Sequence, residues 1–303
     1  MAFEIKIKGK NGFFRKTAKL DINKIIEKLG FGIGYYNDAY VLQVGQVKNN
    51  TCIVYNPRCI GRGIFLDVSK LAEDNEIKLS YHIPTTETEI GDFFSLAKEI
   101  IDCYGKVKLY NADETFTVDN FFAQKDSMIA FSLEELKKKA SFDYNRDSWI
   151  ITMAMFPYTF SDAERNAFSK AATLDEFEKK LHEVQLQDVY YAKPNLYHER
   201  NKGVNMAVYT LTEDCRSAFP LDGSNSLITI HLDANIDEAC VRFYILSEDK
   251  MIDGHFSYAK FIELAKDKSR EYLDKEHIII PPLSKEELTE MADYLKENGY
   301  LIV

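Results

Sequence analysis

The segment Ile90-Gly-Asp-Phe-Phe-Ser-Leu-Ala-Lys-Glu-Ile100 returns later in the chain as Ile252-Asp-Gly-His-Phe-Ser-Tyr-Ala-Lys-Phe-Ile262. The two segments carry the same residue at six positions. Upstream of each lies a similar strand end, first Ile64-Phe-Leu-Asp67 and then Ile230-His-Leu-Asp233. Because each copy of a repeat is one structural unit, this order predicts two similar halves that arose by internal duplication. The alternative is coincidence, since ordinary residue frequencies give about one such match in a chain of this length.

A helix start precedes the first of these segments. Pro84 is followed by Thr86-Glu-Thr-Glu89, in which a hydroxyl and a carboxylate are spaced to bind the exposed amides of a helix end. The helix is expected to bury Ile90, Phe93, Phe94, Ala97, Ile100 and Ile101. The same order of strand, proline and capped helix recurs at Pro157 with Ser161-Asp-Ala-Glu164 and at Pro282 with Ser284-Lys-Glu-Glu287. Such junctions indicate a chain that alternates strands with helices.

The rest of the chain predicts extensive sheet. Phe3-Glu-Ile-Lys-Ile-Lys8 alternates apolar with charged residues, and 18 Tyr and 20 Phe against one Trp favour half-buried strands. We therefore expect an α+β fold with mixed or antiparallel sheets. The Lys-rich and polar region from Ala123 to Ser148 separates two strand-rich parts. It predicts an N-terminal α+β half at residues 1–140 and a C-terminal α+β half at residues 141–303.

Composition limits the classes of protein to consider. A chain of 303 residues with 46% hydrophobic and 28% charged residues is typical of a soluble globular protein. The net charge of −10 repels polyanions, so it disfavours nucleic-acid and acidic-membrane partners. No run approaches the roughly twenty apolar residues that span a bilayer, and the first residues lack the apolar core of a secretory signal. We expect a cytoplasmic protein.

One local region departs from this acidic balance. Residues 1–28 hold eight basic residues against three acidic ones, with Phe13 and Phe14 between them. Charge combined with stacking rings is one way to bind a single-stranded nucleic acid. The alternative is a solvated face of a strand and a helix, which is the usual arrangement of such lysines.

Cysteine and histidine spacing predicts neither disulfides nor a metal site. The five cysteines are odd in number and contain no closely spaced pair, which fits buried thiols in a reducing cytoplasm. The six histidines form no zinc-ligand pattern with cysteines or acids. No serine or cysteine lies in a nucleophile motif. The sequence therefore gives no metal, cofactor or catalytic residue.

Two arginine-containing turns are candidates for ligand binding. In Cys59-Ile-Gly-Arg-Gly-Ile-Phe-Leu-Asp67, glycines flank Arg62, so a backbone approach and a guanidinium clamp on a carboxylate or phosphate are both feasible. Cys215-Arg-Ser-Ala-Phe-Pro220 is a looser counterpart that contains Arg216. The structural alternative is a tight turn whose arginine pairs with a neighbouring acid. Arg62, Asp67 and Arg216 are retained as candidate ligand-binding residues.

A histidine and an aspartate complete the candidate set. His231 and Asp233 lie two residues apart on a predicted strand, so their side chains point to the same side and can form an acid-base pair. A strand pair without catalytic role is the alternative. Separately, Tyr190-Tyr191, Tyr197 and His198-Glu-Arg200 form an aromatic and polar region in which we expect a partner surface.

The chain resembles an uncharacterised family of proteins of about this length from Gram-positive bacteria, a domain-of-unknown-function family. The resemblance rests on Phe3-Glu-Ile-Lys-Ile-Lys8 with Phe13-Phe14, on Tyr55-Asn-Pro-Arg-Cys-Ile-Gly-Arg-Gly-Ile64, and on the whole length. It implies a bacterial cytoplasmic origin, and it supplies no activity or catalytic residues.

The sequence leaves the function unknown and supports two hypotheses. The preferred one is a non-catalytic binding or regulatory protein that uses loops and an aromatic groove between its halves to hold a protein or small-molecule partner. The alternative is a small-molecule enzyme with a site between the two halves, for which Arg62, Asp67, His231 and Asp233 are the candidate residues.

Overall fold

The structure is a computed structural model that describes residues 1–10, 20–38, 40–47, 50–112, 114–142, 149–199, 203–224 and 235–302. The chain forms two compact units, Met1–Leu186 and Gln187–Val303. Helices accompany antiparallel and mixed sheets in an α+β fold, as the sequence predicts. Among the described helices, none combines the length and the apolar character needed to cross a membrane.

The first unit is built on an eight-stranded antiparallel sheet in the order β3-β2-β4-β5-β6-β1-β7-β8, with a separate β9-β10 hairpin. Its strands are β1 (Ala2–Gly9), β2 (Gly32–Tyr36), β3 (Leu42–Val44), β4 (Thr51–Tyr55), β5 (Ile64–Asp67), β6 (Glu76–His82), β7 (Val107–Asn111), β8 (Glu114–Phe116), β9 (Ile150–Thr152) and β10 (Pro157–Thr159). Its helices are α1 (Ile22–Leu29), α2 (Leu71–Asp74), α3 (Glu87–Tyr104), α4 (Val118–Phe122), α5 (Lys125–Ser141), α6 (Asp162–Phe168) and α7 (Asp175–Gln185).

The central helix α3 confirms the predicted amphipathic segment. Thr86 accepts a hydrogen bond from the Glu89 amide at the helix start, and all six predicted core residues of the helix are buried. They pack on Ile5, Ile7 and their neighbours of the sheet. The two later junctions form complete capping boxes, Ser161 with Glu164 and Ser284 with Glu287. At α3 only half of the box forms, because the Glu89 side chain is engaged elsewhere.

The second unit contains two mixed sheets. The four-stranded sheet has the order β11-β14-β19-β18; the five-stranded one has the order β12-β13-β15-β16, with β17 also paired to β15. The strands are β11 (Tyr190–Tyr191), β12 (Asn195–Glu199), β13 (Val204–Thr212), β14 (Ser217–Pro220), β15 (Glu238–Ile245), β16 (Lys250–Met251), β17 (Phe256–Ser257), β18 (Tyr272–Asp274) and β19 (His277–Ile280). Helices α8 (Tyr258–Lys268) and α9 (Lys285–Glu297) share one core with both sheets.

The two copies of the repeated segment adopt different structures. Ile90–Ile100 lies wholly inside α3, whereas the later copy runs through β17 and becomes helical only at Tyr258. Gly254 in that copy has a φ of +119°, which is incompatible with a helix. The strand end Ile230–Asp233 lies outside the described residues. The structure therefore does not show the internal duplication.

The boundary between the two compact units lies between Leu186 and Gln187, whereas the halves expected from the sequence are residues 1–140 and 141–303. The segment 149–186 packs within the first unit. In α7, the Gln185 amide donates to the carbonyl oxygens of Ile60 and Gly61, and His182 accepts from the Ile60 amide. The Lys-rich region between the expected halves holds α5, whose Ser132 bonds both backbone groups of Thr85. These long-range contacts are not visible in the local composition on which the expected boundary rests.

Candidate functional site

Arg62 lies in the loop before β5 and is buried, with 6% of its surface exposed. Its Nε donates to the carbonyl oxygen of Thr152 at 3.0 Å, and its Nη1 donates to that of Pro84 at 2.9 Å. The sequence left a ligand clamp and an acid-paired turn as alternatives. The structure shows a third arrangement, in which the guanidinium joins two distant backbone segments.

Glu89 shares this buried environment. Its carboxylate accepts a hydrogen bond from the Gly63 amide at 2.5 Å and another from the Thr85 hydroxyl. A Cβ at Gly61 would lie 2.4 Å from this carboxylate, so glycine is required there by close approach. Burial raises the pKa of Glu89, although its hydrogen bonds and Arg62 oppose the rise. We call Arg62, Glu89, Thr85 and Gly63 the Arg62 cluster.

Burial also shifts the pKa values of Arg62 and of the neighbouring His82. It lowers the pKa of Arg62 to about 10, with Glu89 opposing. Burial, reinforced by Arg62, lowers the pKa of His82 to about 4, so this imidazole is neutral at physiological pH. Each residue of the Arg62 cluster forms a hydrogen bond within the cluster or to the backbone, which is the usual condition of buried polar groups that hold a fold together.

Asp67 lies at the far end of β5 and has partners of its own. It accepts a hydrogen bond from the Ser69 amide at 2.9 Å and lies 3.9 Å from the Lys78 ammonium group. Burial acts to raise its pKa, but Ser69 and the lysines outweigh this effect and lower it. Together with Lys6, Lys70 and others, it lines a shallow cavity of about 120 Å³. Asp67 and Arg62 thus belong to separate surroundings.

The remaining candidates from the sequence lie in the second unit. Arg216 donates to the Asp188 carbonyl oxygen at 3.4 Å and forms an ion pair with Glu271, which is the acid-paired turn given as the structural alternative. His231 and Asp233 lie outside the described residues. In the aromatic region, Tyr190 and Tyr197 are 51% and 50% exposed, but Tyr191 is buried.

Tyr191 begins a chain of three buried side chains that sequence reasoning did not find. Its hydroxyl lies 2.8 Å from Nε2 of His277, and Nδ1 of His277 lies 2.8 Å from the Asp274 carboxylate. The strand β14 lies between them, because it pairs with β11 at Ala218 and with β19 from Ser217 to Pro220. The pKa of Tyr191 is raised well above 10, by burial first and then by Asp274. We call these three residues the Tyr191 relay.

Arg242 presents the opposite situation from Arg62. It projects from β15 on the face that is opposite to the core residues Val241 and Phe243, and it is partly buried. Its Nε is buried without an acceptor, and its guanidinium has neither a hydrogen bond nor an ion pair within the part of the chain that the structure describes. An arginine in this state is unusual, because buried donors are almost always bonded.

His255 lies beside Arg242 and is also incompletely bonded. The antiparallel register of β15 and β17 pairs Val241 with Phe256, and Arg242 and His255 are the next residues along these two segments. The charge of Arg242 acts on His255, which agrees with their being neighbours. The His255 Nδ1 is buried without a partner. Burial, followed by the charge of Arg242, lowers the pKa of His255. We call Arg242 and His255 the Arg242 site.

The sequence carries only a faint signal of this site. Arg242 is the one basic residue in Glu-Ala-Cys-Val-Arg-Phe-Tyr-Ile (residues 238–245), at a position whose alternation predicts an outward-facing side chain. His255 stands in the second repeat copy where the first has Phe93. Neither observation shows that the two residues are neighbours.

The described residues offer no candidate metal-binding site. Across the described ranges, no group of three or more His, Cys, Asp and Glu side chains is placed to hold a metal ion. The Arg242 site consists of hydrogen-bond donors and a neutral imidazole, which suit an anion rather than a cation.

Comparison with known proteins places the chain in a family. Residues 1–291 match the family model described as a domain of unknown function (DUF4299), so the chain belongs to this family. No curated protein and no solved structure matches it. The family membership agrees with the resemblance given above; it assigns no activity.

Proposed function

We propose that this protein is a non-catalytic binding protein whose second unit takes up a small anionic ligand at Arg242 and His255. The observation that carries the proposal is the Arg242 guanidinium, which is partly buried and has no acceptor among the described residues. A ligand oxygen would supply the acceptor that the chain does not.

The energetics favour such a ligand. Burial removes water from the Arg242 Nε, and the chain does not replace the lost hydrogen bond. A hydrogen bond to a charged group contributes about 1.5 to 3 kcal/mol, so two bonds to one anion approach the roughly 4 kcal/mol of a millimolar dissociation constant. The guanidinium fork is well suited to two oxygens of one carboxylate or phosphoryl group.

Molecular charge argues for a small ligand. The net charge of −10 repels extended polyanions, whose many charges all experience the field of the protein. A ligand with one or two charges loses much less from this repulsion, and physiological salt screens it further. The charge balance therefore supports a metabolite-sized anion over a nucleic acid.

The state of the Tyr191 relay supports a non-catalytic role. A tyrosine, a histidine and an aspartate in a hydrogen-bonded row resemble the groups that activate a nucleophile. However, all three residues are buried, and the pKa of Tyr191 is shifted upward, away from phenolate formation. We propose that this row ties β11 to the β18–β19 hairpin.

We also propose a bacterial cytoplasmic setting, in agreement with five cysteines that form no disulfide.

Isothermal titration calorimetry with inorganic phosphate, sulfate and acetate tests the proposal. At least one of these anions should bind the intact protein, and Arg242→Gln should weaken binding by about tenfold or more because the charged fork is lost. Arg270→Gln removes an exposed arginine of the same unit and is the matched control, with affinity expected to stay unchanged. Absence of heat with all three anions, or equal losses in both variants, would refute the proposal.

A further inference from the structure

We infer that the anion bound at the Arg242 site is a tetrahedral oxyanion, such as phosphate or a phosphate monoester, and that its binding transfers a proton from solvent to His255. This inference rests on the proposed function and adds to it the class of ligand and the linked proton. It follows from how the side chains are arranged across three neighbouring strands.

The Arg242 site extends to a third residue, Thr210. The parallel register of β13 and β15 pairs Thr210 with Arg242, and β17 lies on the other side of β15. Thr210, Arg242 and His255 therefore form a row on one face, with the arginine in the middle. Adjacent strands lie about 4.8 Å apart, so the row spans about 10 Å. All three side chains are only partly buried, which leaves the row open to solvent.

The number of donors in this row distinguishes the ligand classes. A carboxylate has two oxygens, and the arginine fork alone can bond both. The hydroxyl of Thr210 and the imidazole of His255 would then have nothing to bond. A phosphoryl or sulfuryl group has oxygens that point in four directions, so it can bond the arginine, the hydroxyl and the imidazole together. The row thus fits a tetrahedral anion better than a planar one.

The residues around His255 explain why this side chain should take up a proton when the anion binds. Arg242 faces it from β15; Cys240 and Glu238 follow on the same face of that strand, and the apolar Ile302 packs nearby. Without ligand, burial and the Arg242 charge keep the imidazole neutral. A dianion beside His255 reverses the sign of the local potential and favours the charged form. The protonated ring then donates to the anion, and the proton comes from the buffer.

Two features of the surroundings leave the row available to an anion. Asp249, the acid near the end of β15, accepts a hydrogen bond from the Tyr244 hydroxyl. Glu238 lies four residues from Arg242 along an extended strand, roughly 13 Å away. Neither acid forms an ion pair with Arg242 in the described structure.

Calorimetry with sulfate separates protein protonation from ligand protonation, because sulfate does not titrate near neutral pH whereas phosphate does. Sulfate binding is measured at about pH 7.5 in two buffers of different ionisation enthalpy, which gives the number of protons taken up. We expect uptake of a fraction of a proton per sulfate, and an affinity that falls as pH rises, by at most tenfold per unit. His255→Asn should abolish the uptake while sulfate still binds, and Thr210→Val should weaken sulfate several-fold with no effect on acetate.

The outcomes separate this inference from the proposed function. If acetate binds as tightly as sulfate, or if Thr210→Val weakens both equally, the tetrahedral assignment is wrong. If sulfate binds without proton uptake, or if uptake persists in His255→Asn, the linked proton is wrong. In both cases the proposal that the protein binds an anion at Arg242 still stands. If no anion binds the wild-type protein, the proposed function itself fails. Circular dichroism of each variant confirms that it is folded.

Discussion

Arg62 is buried and Arg242 is partly buried with its Nε inaccessible to solvent, yet only Arg62 is hydrogen-bonded. Arg62 donates to two backbone carbonyls and lies near the buried Glu89, whereas Arg242 has no acceptor among the described residues. A buried donor that has found its partners stabilises the fold, because its removal leaves those partners unsatisfied. A buried donor without a partner lowers the stability of the fold. We therefore expect a ligand to supply the missing acceptor. Arg62 therefore has a structural role, whereas Arg242 is the residue proposed to bind a ligand.

The largest effect is expected at the bonded arginine. Arg62→Met removes the donor that the structure gives to the carbonyls of Pro84 and Thr152 and removes a positive charge that acts on Glu89, so it should lower the free energy of unfolding by about 3 kcal/mol or more. Urea unfolding followed by the fluorescence of Trp149 measures this effect. This residue is the only tryptophan of the chain and is buried in the first unit.

Arg242→Met is the matched variant. Because no hydrogen bond or ion pair is lost within the described structure, we expect the free energy of unfolding to stay within about 0.5 kcal/mol of wild type, or to rise. Since Trp149 reports on the first unit, unfolding of this variant is also followed by far-ultraviolet circular dichroism. Equal destabilisation by the two substitutions would show that the distinction between these arginines is unfounded.

A smaller effect should come from the Tyr191 relay. Tyr191→Phe leaves the buried His277 without the hydroxyl, which should cost about 1 to 3 kcal/mol. Tyr190→Phe removes the hydroxyl of a neighbouring, exposed ring and should change nothing. Hydrogen exchange of the β14 and β19 amides measures both variants. Unchanged protection in Tyr191→Phe would contradict a structural role for the relay.

The smallest effect is a pH dependence at Glu89. Its pKa is raised in the folded protein, so its contribution is present below the unfolded-state pKa and is lost as pH rises through the folded one. Glu89→Gln keeps an acceptor for the Gly63 amide and removes the titration. From about pH 5 to about pH 8, wild type should therefore lose stability relative to the variant. A difference that is constant over this range, or that changes in the opposite direction, would show that Glu89 is not destabilised by burial.

Local sequence patterns predicted the elements better than their connections. The capped helix α3 and its buried face follow from spacing within a few residues, so the prediction was confirmed residue by residue. The burial of Arg62 depends on Thr152, ninety residues away along the chain. The close packing of the backbone around Arg62 was foreseeable from Gly61 and Gly63, but the carbonyls that Arg62 binds were not.

The Arg242 site could not be predicted for a different reason. The site is recognised because Arg242 lacks a hydrogen-bond acceptor. Whether an acceptor is present depends on every segment that packs against Arg242. Alternation placed Arg242 on an outward face, but it gave no means to pair β15 with β17 or to bring His255 alongside. The candidates that the sequence favoured, Arg62 and Arg216, were chosen for chemistry that their own neighbours already satisfy.

The most direct test observes the arginine side chains themselves. Nuclear magnetic resonance of the ¹⁵Nε–H groups, with the Arg242 signal assigned by its loss in Arg242→Gln and the Arg62 signal by its loss in Arg62→Lys, follows both residues during one titration with sulfate. We expect the Arg242 signal to shift until the site is saturated, while the signal of Arg62, whose Nε is already bonded to Thr152, stays in place. A stationary Arg242 signal at high sulfate, or equal shifts of both, would contradict this expectation.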